Sequence, residues 1–321
     1  MPPYIQEQPV SSKPEIDVLL ATWNGIRFLD QQLDSLSHQS FQNFRVLVRD
    51  DDSSDSTLQI VERFQSLHPD RVLVRKNSTR QGACRTFSLL AEESHAPYFA
   101  FCDQDDVWRS DKLELELDAL KRAEANYGYE TPVMVFSDLE LIGPDNRRLA
   151  GSMWKMKHVN PHRASLGALL VQNLATGCTV LGNHSLLSHG LPIPEEAVMH
   201  DSWLGLVAAA FGVLVPLDET TVGYRQHEQN VIGAGRGLQL RDAIKRLLQD
   251  PAFTEGIAQS RKQARTFAER YATQLSDNQR GVLQVWSTSK DLPAGVRQWT
   301  LYRSGLRPTR FLSKLGFLAK V

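Results

Sequence analysis

The chain has 321 residues, of which 41% are hydrophobic and 23% charged, and its formal net charge is −1. This composition is typical of a globular protein with one large or two unequal domains. The three cysteines lack the spacing of a small disulfide scaffold or a cysteine metal site, and the longest apolar stretch, at 203–217, is shorter than the ~20 residues that span a bilayer. A small disulfide-rich protein, a cysteine metal site and a membrane-spanning helix at 203–217 are therefore excluded. A reducing, cytoplasmic setting is favoured.

The two ends of the chain differ from the rest. Residues 1–15 are polar and contain four prolines, which predicts a flexible leader. Residues 236–321 hold 16 Lys and Arg against 6 Asp and Glu, whereas the first 235 residues hold 20 against 31. This asymmetry favours contact of the basic end with an anionic membrane surface, with the body of its own chain, or with a sister chain in a homo-oligomer. A solvated basic tail is the alternative.

From residue 16 onward, short apolar runs alternate with helical patterns. Strands are predicted at 16–21, 44–48, 72–74 and 98–102, and the helical patterns that follow them lie at 28–36, 57–67, 84–93 and 112–125. The alternation predicts an α/β fold with a mostly parallel sheet flanked by helices. Further strands are predicted at 133–136, 179–181 and 213–217, and further helices at 203–211, 238–248, 258–275 and 301–318. A glycine-rich loop at 233–237 separates residues 16–235 from a small, basic helical region at 236–321.

The first acidic cluster follows the second predicted strand. Ligands of open α/β sheets bind beyond the carboxyl ends of the strands, and residues 49–56 place four carboxylates at such an end. Crowded like charges are unfavourable unless a cation or hydrogen-bond donors accompany them. Asp55 is expected to cap the next helix, but capping does not explain Asp50 and Asp51. Their carboxylates can accept a hydrogen bond from a nucleobase or a ribose hydroxyl.

The second acidic cluster, at 103–106, follows the fourth predicted strand. Mg²⁺ and Mn²⁺ prefer one or two carboxylates together with substrate phosphate oxygens, and Asp103 and Asp105 offer such ligands. A helix cap accounts for Asp106 alone. The pattern predicts a divalent cation at the edge of the sheet.

Three segments, at 22–25 (TWNG), 50–55 (DDDSSD) and 102–106 (CDQDD), resemble the signatures of family 2 glycosyltransferases, which have the GT-A fold. The resemblance covers residues 16–235, with a nucleotide-binding half at about 16–106 and an acceptor half at about 107–235. It implies that Thr22 and Asp51 face the pyrimidine of the donor, that Asp103 lies by its ribose, and that Asp105 binds the metal that holds the diphosphate. The other donor-binding residues that we infer from these segments are Asn24 and Asp50.

Two residues depart from the usual pattern of that family. Trp23 stands where Tyr is common, and Asp52 stands where Gly is frequent. Neither change removes a required carboxylate, although Asp52 alters the φ preference of its turn.

An inverting glycosyl transfer needs a carboxylate that takes the proton of the attacking hydroxyl. The segment 199–203 (MHDSW) resembles the late acidic motif of the family, which implies that Asp201 is the catalytic base. Asp201 is also expected near the start of a helix, and capping is compatible with catalysis because a helix N-terminus stabilises the ionised form. His200 is interpreted as a local hydrogen-bond partner.

Two further segments supply candidates for the donor and the metal. Residues 224–230 (YRQHEQN) resemble the closing motif of bacterial rhamnosyltransferase-like members, which suggests His227 as a metal ligand and Arg225 as a phosphate contact. A surface histidine in a polar loop is the alternative. Arg80 and Gly82 precede a predicted helix, where glycine allows close approach and arginine pairs with phosphate.

The acceptor side is marked by tryptophans, because sugar rings stack on indole faces. Trp154 and Trp203 are the candidates, with burial in the core as the alternative. The Gln-x-x-Arg-Trp motif of processive synthases is absent from the sequence, which favours transfer of a single sugar.

The resulting hypothesis is a cytoplasmic, metal-dependent, inverting enzyme that transfers one sugar from a nucleotide diphosphate sugar. The resemblance favours dTDP-L-rhamnose, with a UDP-glucosyl or UDP-galactosyl donor as the alternative. The acceptor would be a saccharide or lipid-linked saccharide of a bacterial surface glycan, reached at the inner face of the plasma membrane. A sugar nucleotidyltransferase and a non-catalytic scaffold are rivals from other classes. No motif that reads nucleic acid accompanies the basic residues, so nucleic acid is not an expected partner.

Overall fold

The computed structural model describes residues 13–227, 251–289, 292–303 and 306. Several predictions lie outside these residues. They are residues 1–12 of the predicted 1–15 leader, the glycine-rich loop at 233–237, the helix at 238–248, and residues 304–305 and 307–318 of the predicted 301–318 helix.

The first half of the chain alternates strands and helices as predicted. The elements are β1 (Ile16–Thr22), α1 (Leu29–Ser37), β2 (Phe44–Asp50), α2 (Thr57–Leu67), β3 (Val72–Lys76), α3 (Ala83–Glu92) and β4 (Tyr98–Cys102). β1 runs parallel to both β2 and β4, and β2 runs parallel to β3. β1 and β4 are buried almost throughout, because helices cover both faces of the sheet. The carboxyl ends of β1, β2 and β4 therefore meet at one edge.

The second half adds a mixed part to the sheet. Its elements are β5 (Val107–Trp108), α4 (Lys112–Tyr127), β6 (Val133–Ile142), β7 (Arg148–Ala150), α5 (Met153–Met156), α6 (Leu166–Val171), β8 (Val180–Asn183), α7 (His184–Gly190), α8 (His200–Phe211) and β9 (Val213–Arg225). β8 is antiparallel to both β4 and β6, whereas β9 is parallel to β6 and antiparallel to β5. The strand order is β3-β2-β1-β4-β8-β6-β9-β5, with β7 paired to β6.

The predicted α/β architecture is confirmed, with two differences. The sheet is entirely parallel only from β3 to β4. Beyond β4 it is mixed, since β8 enters in the opposite direction between β4 and β6, whereas β6 and β9 are again parallel to each other. β6 and β9 also extend well beyond the apolar runs that predicted them, because each strand continues through polar residues. β6 is buried almost throughout, whereas β9 starts half-buried and becomes buried towards its end.

The C-terminal helices are α9 (Pro251–Arg270), α10 (Asp277–Thr288) and α11 (Ala294–Arg303). A capping box of Ser276 and Gln279 starts α10, a helix that the apolar pattern did not predict. Phe267 and Tyr271 are buried and belong to the same apolar cluster as residues of α6 and α8. The described part of the basic region thus packs on the body of the chain.

Two apolar clusters lie on opposite faces of the sheet. One joins the sheet to α3, α6, α8 and the C-terminal helices, and the other joins it to α1, α2 and α4. Among the helices that the structure describes, none combines the length and the apolar character needed to cross a membrane.

Candidate active site

The loops after β1 and β2 are joined by hydrogen bonds. The Thr22 hydroxyl donates to Asp50 Oδ1 over 3.0 Å, and the Ser53 backbone N–H donates to Asp50 Oδ2 over 2.9 Å. The Asn24 N–H donates to Ser53 Oγ over 2.9 Å, and Asn24 Oδ1 accepts from the Ser54 N–H over 2.9 Å. Asp50 is completely buried. The contacts of Asp50 and Asn24 in the structure are therefore internal, and they hold the two loops in register.

Asp51 holds the loop that precedes α3. Its carboxylate accepts hydrogen bonds from Asn77 Nδ2 over 2.7 Å, from the Gln81 N–H over 2.7 Å and from the Gly82 N–H over 2.8 Å. Gly82 has a φ of +82°, a left-handed conformation that favours glycine. The donor-site prediction thus groups residues that are neighbours in space, with Asp51 at 4% exposure behind the loop.

Trp23 is held between two side chains. Gln104 Oε1 accepts from the Trp23 N–H over 2.8 Å, and Gln104 Nε2 donates to the Trp23 carbonyl over 2.9 Å. The guanidinium of the exposed Arg80 lies 3.5 Å from the centroid of the Trp23 ring. A Cβ added at Gly25 would lie 2.2 Å from Gln104 Oε1, so this close approach requires glycine. The first and third motifs are locked together through Gln104.

The acidic residues after β4 converge with the acidic residue of α8. Burial, then the charges of Asp105 and Asp201, raise the pKa of Asp103. Burial, then Asp105 and Asp103, raise the pKa of Asp106, whose Oδ2 has no hydrogen-bond partner among the described residues. Side chains that belong to two distant segments of the chain therefore share one negative potential.

Asp105 lies next to His227, the histidine predicted as a metal ligand. His227 Nε2 is 2.7 Å from Asp105 Oδ2, although the two residues are 122 positions apart in the chain. The His227 ring also packs on Phe28, with the ring centroids 5.0 Å apart. His227 is not an exposed loop residue, since its side chain is only 8% exposed. The two predicted metal ligands are brought together.

The residues present fit a divalent cation. A carboxylate and an imidazole are ligands that Mn²⁺ accepts, and Asp103 and Asp106 add oxygens beside them. Ligand atoms of Asp103, Asp106 and Cys178 lie within 4.8 Å of one another. Burial, then Asp106 and Asp103, raise the pKa of Cys178, so a protonated thiol faces these carboxylates. The carboxylate oxygens of this group are the donor atoms that Mg²⁺ and Mn²⁺ prefer.

The prediction that Arg225 contacts phosphate is corrected by the structure. Arg225 is completely buried, and its guanidinium donates to the Asp105 carbonyl over 2.8 Å, to Gln31 Oε1 over 2.8 Å and to the Gly143 carbonyl over 3.1 Å. A fourth bond, to Asn146 Oδ1, spans 2.5 Å. With its donors directed at protein acceptors, Arg225 ties the Asp105 loop to the neighbouring loops.

Asp201 lies in the first turn of α8, as predicted. Burial raises the pKa of its carboxyl to about 6, although hydrogen bonds from the Ser202 N–H, the Gly177 N–H and the Asn173 side chain favour the ionised form. The Ser202 N–H is 2.6 Å from Asp201 Oδ1. A carboxylate with a pKa near 6 is ionised at neutral pH and still basic enough to accept a proton.

His200 differs from its interpretation as a hydrogen-bond partner. Neither ring nitrogen has a hydrogen-bond partner among the described residues, and burial lowers the pKa of His200 to about 3. The ring instead packs against Phe87 and Phe101, at centroid distances of 4.1 and 4.3 Å. A Cβ at Gly177 would lie 3.0 Å from His200 Nε2. His200 is a neutral packing residue beside Asp201.

The two candidate acceptor residues have different environments. Trp154 is partly exposed in the first turn of α5, where its backbone N–H donates to Asp138 Oδ1 over 3.1 Å. Trp203 is completely buried, donates to the Gly190 carbonyl over 2.8 Å and packs edge-on against Phe267. The prediction that Trp203 binds the acceptor is therefore wrong, since no face of its indole can meet a sugar.

Sequence reasoning missed the segment that links the two acidic groups. Asn173 and Gly177 contact Asp201, and Cys178 lies beside Asp103 and Asp106. This segment precedes strand β8, whereas the candidates chosen from the sequence follow predicted strands. Because β8 is antiparallel to β4, the start of β8 lies at the carboxyl end of β4. The apolar run at 179–181 predicted a strand, but such a run does not indicate whether the strand is parallel or antiparallel to its neighbours.

Comparison with known sequences identifies relatives of the chain. The sequence model of glycosyl transferase family 2 matches residues 17–179. The chain is 27% identical over 241 residues to dTDP-rhamnosyl transferase RfbG of Shigella flexneri, covering 71% of this chain and 78% of that protein. It is 26% identical over 174 residues to UDP-Glc:alpha-D-GlcNAc-diphosphoundecaprenol beta-1,3-glucosyltransferase WfgD of Escherichia coli, covering 54% of this chain and 62% of that protein.

Solved structures share the fold. S. aureus TarS 1–349 in complex with UDP-GlcNAc superposes with a TM-score of 0.55 at 15% identity, covering 95% of this chain and 90% of that one. Mannosyltransferase PcManGT from Pyrobaculum calidifontis, in complex with GDP-Man and Mn²⁺, gives 0.56 at 14% identity, covering 92% and 74%. With the family match over half of its length, this GT-A chain belongs to glycosyl transferase family 2 and is a glycosyltransferase.

Proposed function

We propose that the chain transfers a single sugar, with inversion, from a nucleotide diphosphate sugar to a saccharide or lipid-linked saccharide of a bacterial surface glycan. The observation that carries the proposal is the shared potential of the acidic side chains. The charges of Asp105 and Asp201 both raise the pKa of Asp103, so each of these two carboxylates lies near Asp103, and Asp105 Oδ2 in turn lies 2.7 Å from His227 Nε2. Metal, diphosphate and attacking hydroxyl have to meet in such a place.

The donor is proposed to be dTDP-L-rhamnose. The relative RfbG is named a dTDP-rhamnosyl transferase, and its similarity extends over most of both chains. WfgD, named for a UDP-glucose donor, supports the alternative of a UDP-sugar over a shorter match. On either donor, the nucleobase would lie between Thr22 and the Asp51 loop, and the exposed Arg80 of that loop would contact the donor.

Asp105 and His227 would hold a Mn²⁺ or Mg²⁺ ion, with Asp103 beside them. When bound, the cation neutralises charge that develops on the leaving diphosphate. Two further side chains have proposed roles at this site. Arg225 fixes the loop that carries Asp105, and Asp201 accepts the proton of the attacking hydroxyl.

The acceptor is proposed to approach past Trp154, a partly exposed residue whose backbone N–H donates to Asp138 Oδ1. The acceptors of relatives such as WfgD are attached to diphosphoundecaprenol. We therefore propose that the enzyme works at the inner face of the plasma membrane, to which the basic residues of 236–321 would draw it.

The experiment offers the purified protein dTDP-L-rhamnose, UDP-glucose and UDP-galactose, with and without Mn²⁺, together with a diphosphate-linked acceptor. We expect turnover of one donor that depends on the metal. Asp201→Asn should lower kcat by about 10²–10⁴-fold while nucleotide binding, measured by calorimetry, stays unchanged. Asp118→Asn, an exposed carboxylate of α4, is the matched control. Binding of nucleotide without turnover of any donor would favour the scaffold, and undiminished turnover by Asp201→Asn would remove the base.

A further inference from the structure

Helix α9 grips the segment that leads into the proposed base. Residues 191–199 connect α7 to α8 and end two positions before Asp201. Arg270 donates to the carbonyls of Leu191 and Pro192, and Gln259 Nε2 donates to the Glu196 carbonyl over 3.0 Å. Side chains from a helix more than fifty positions later in the chain thus bind the backbone of this segment.

Gln263 makes the contacts nearest to the base. Its Oε1 accepts from the Val198 N–H over 2.8 Å, and its Nε2 donates to Ser202 Oγ over 3.3 Å. One amide therefore holds a residue on each side of Asp201. The side chain is 1% exposed, so both bonds are shielded from water.

A buried amide is not needed to pack two helices. Moving an amide out of water is unfavourable unless its donor and acceptor are both paired, whereas an apolar side chain of the same length would fill the space without that requirement. Apolar neighbours on α9 already join it to α8, since Phe267 packs against Trp203 at a centroid distance of 5.2 Å. The two polar contacts of Gln263 therefore serve placement of the backbone around Asp201.

We infer that Gln263 is a positioning residue that fixes the backbone of Val198 to Ser202, so that the Asp201 carboxylate faces the attacking hydroxyl. This inference rests on the proposed function. It makes the C-terminal helical region a part of the catalytic unit, through side-chain contacts to the segment that carries the base.

The test compares Gln263→Met with Gln279→Met in the full chain. Met keeps the length of the side chain and removes the amide at both positions. Gln279 lies on α10, donates to the Ala210 carbonyl at the far end of α8 over 2.7 Å, and accepts from the Ser276 N–H over 2.8 Å in the capping box. Gln279→Met therefore also loses that capping contact, so it controls for lost stability as well as for a lost amide. Both variants lose an amide bond to the same helix, but only Gln263→Met loses the contacts beside the base.

We expect Gln263→Met to lower kcat by about tenfold or more, because small displacements of a reacting group are costly, while the KM for the donor stays within about twofold. Gln279→Met should retain the parent kcat. Hydrogen exchange followed by mass spectrometry gives a readout besides activity. Exchange in the peptide that contains residues 197–203 should accelerate in Gln263→Met and remain at the parent rate in Gln279→Met.

Each other outcome is decisive. Parent values of kcat and of exchange in Gln263→Met overturn the inference, and so does an equal loss of kcat in both variants, which would report general stability. The proposed function fails separately. If Asp201→Asn turns over like the parent, then the base is misassigned, whereas an inactive Asp201→Asn with a fully active Gln263→Met refutes only the role of Gln263.

Discussion

Replacing Arg225 by Lys separates a structural role from a phosphate-binding role. Lys keeps the positive charge but concentrates three donors at one atom, whereas the guanidinium fork reaches the Asp105 carbonyl, the Gly143 carbonyl, Gln31 Oε1 and Asn146 Oδ1. At least two of these acceptors would lose their partner. At ~1–3 kcal/mol for each buried unsatisfied group, the substitution should lower the free energy of unfolding by about 2–6 kcal/mol.

Urea denaturation measures this effect as a shift of the midpoint at constant m-value. Arg80→Lys is the matched control, because Arg80 is exposed and packs on the Trp23 ring, so its free energy of unfolding should change by less than about 1 kcal/mol. If Arg225→Lys unfolds at the parent urea concentration and only the KM for the donor rises, then Arg225 binds phosphate after all and the reading of its contacts is refuted.

Three further changes have expected outcomes. Asp52→Gly should raise the free energy of unfolding by up to about 1 kcal/mol in urea, because Asp52 has a φ of +63°; a loss would mean that its 3.6 Å ion pair with Lys76 dominates. Trp203→Ala should cost about 3–5 kcal/mol in the same assay, and a cost below 1 kcal/mol would contradict its burial. Since ionised Asp201 is the active form, kcat/KM should fall as the pH drops through about 6. Asn173→Ala removes a donor to that carboxylate, so the midpoint of the pH profile should move upward, and a downward shift would oppose the assignment.

The residues that follow β1, β2 and β4 could be located from the sequence because parallel strands end at a common edge. That rule brought Thr22, at the end of β1, next to Asp50, at the end of β2. Only the family resemblance led us to expect His227 beside Asp105 and Asp201 at the same edge of the sheet, because no local pattern indicates either placement. Neither pairing can be read from spacing, since the partners lie about a hundred positions apart.

The direction of a strand and the burial of a large side chain could not be predicted from the sequence. A short apolar run has the same pattern in both directions, so the antiparallel entry of β8 hid the contacts of Gly177 and Cys178. Arg225 and Trp203 occupy motifs that resemble binding segments, yet both are completely buried. Their partners, which include the Gly143 carbonyl and the Phe267 ring, come from segments that the motifs do not contain.

The enclosure of Trp203 by α9 has a practical consequence for protein engineering. The family match ends at residue 179, which invites chimeras that join the matched part of this chain to the later part of another enzyme. A junction placed between α8 and α9 would pair an indole from one parent with ring partners from another. Exchanging α8 and α9 together as a single block keeps that packing intact. We therefore recommend that the junctions lie outside these two helices.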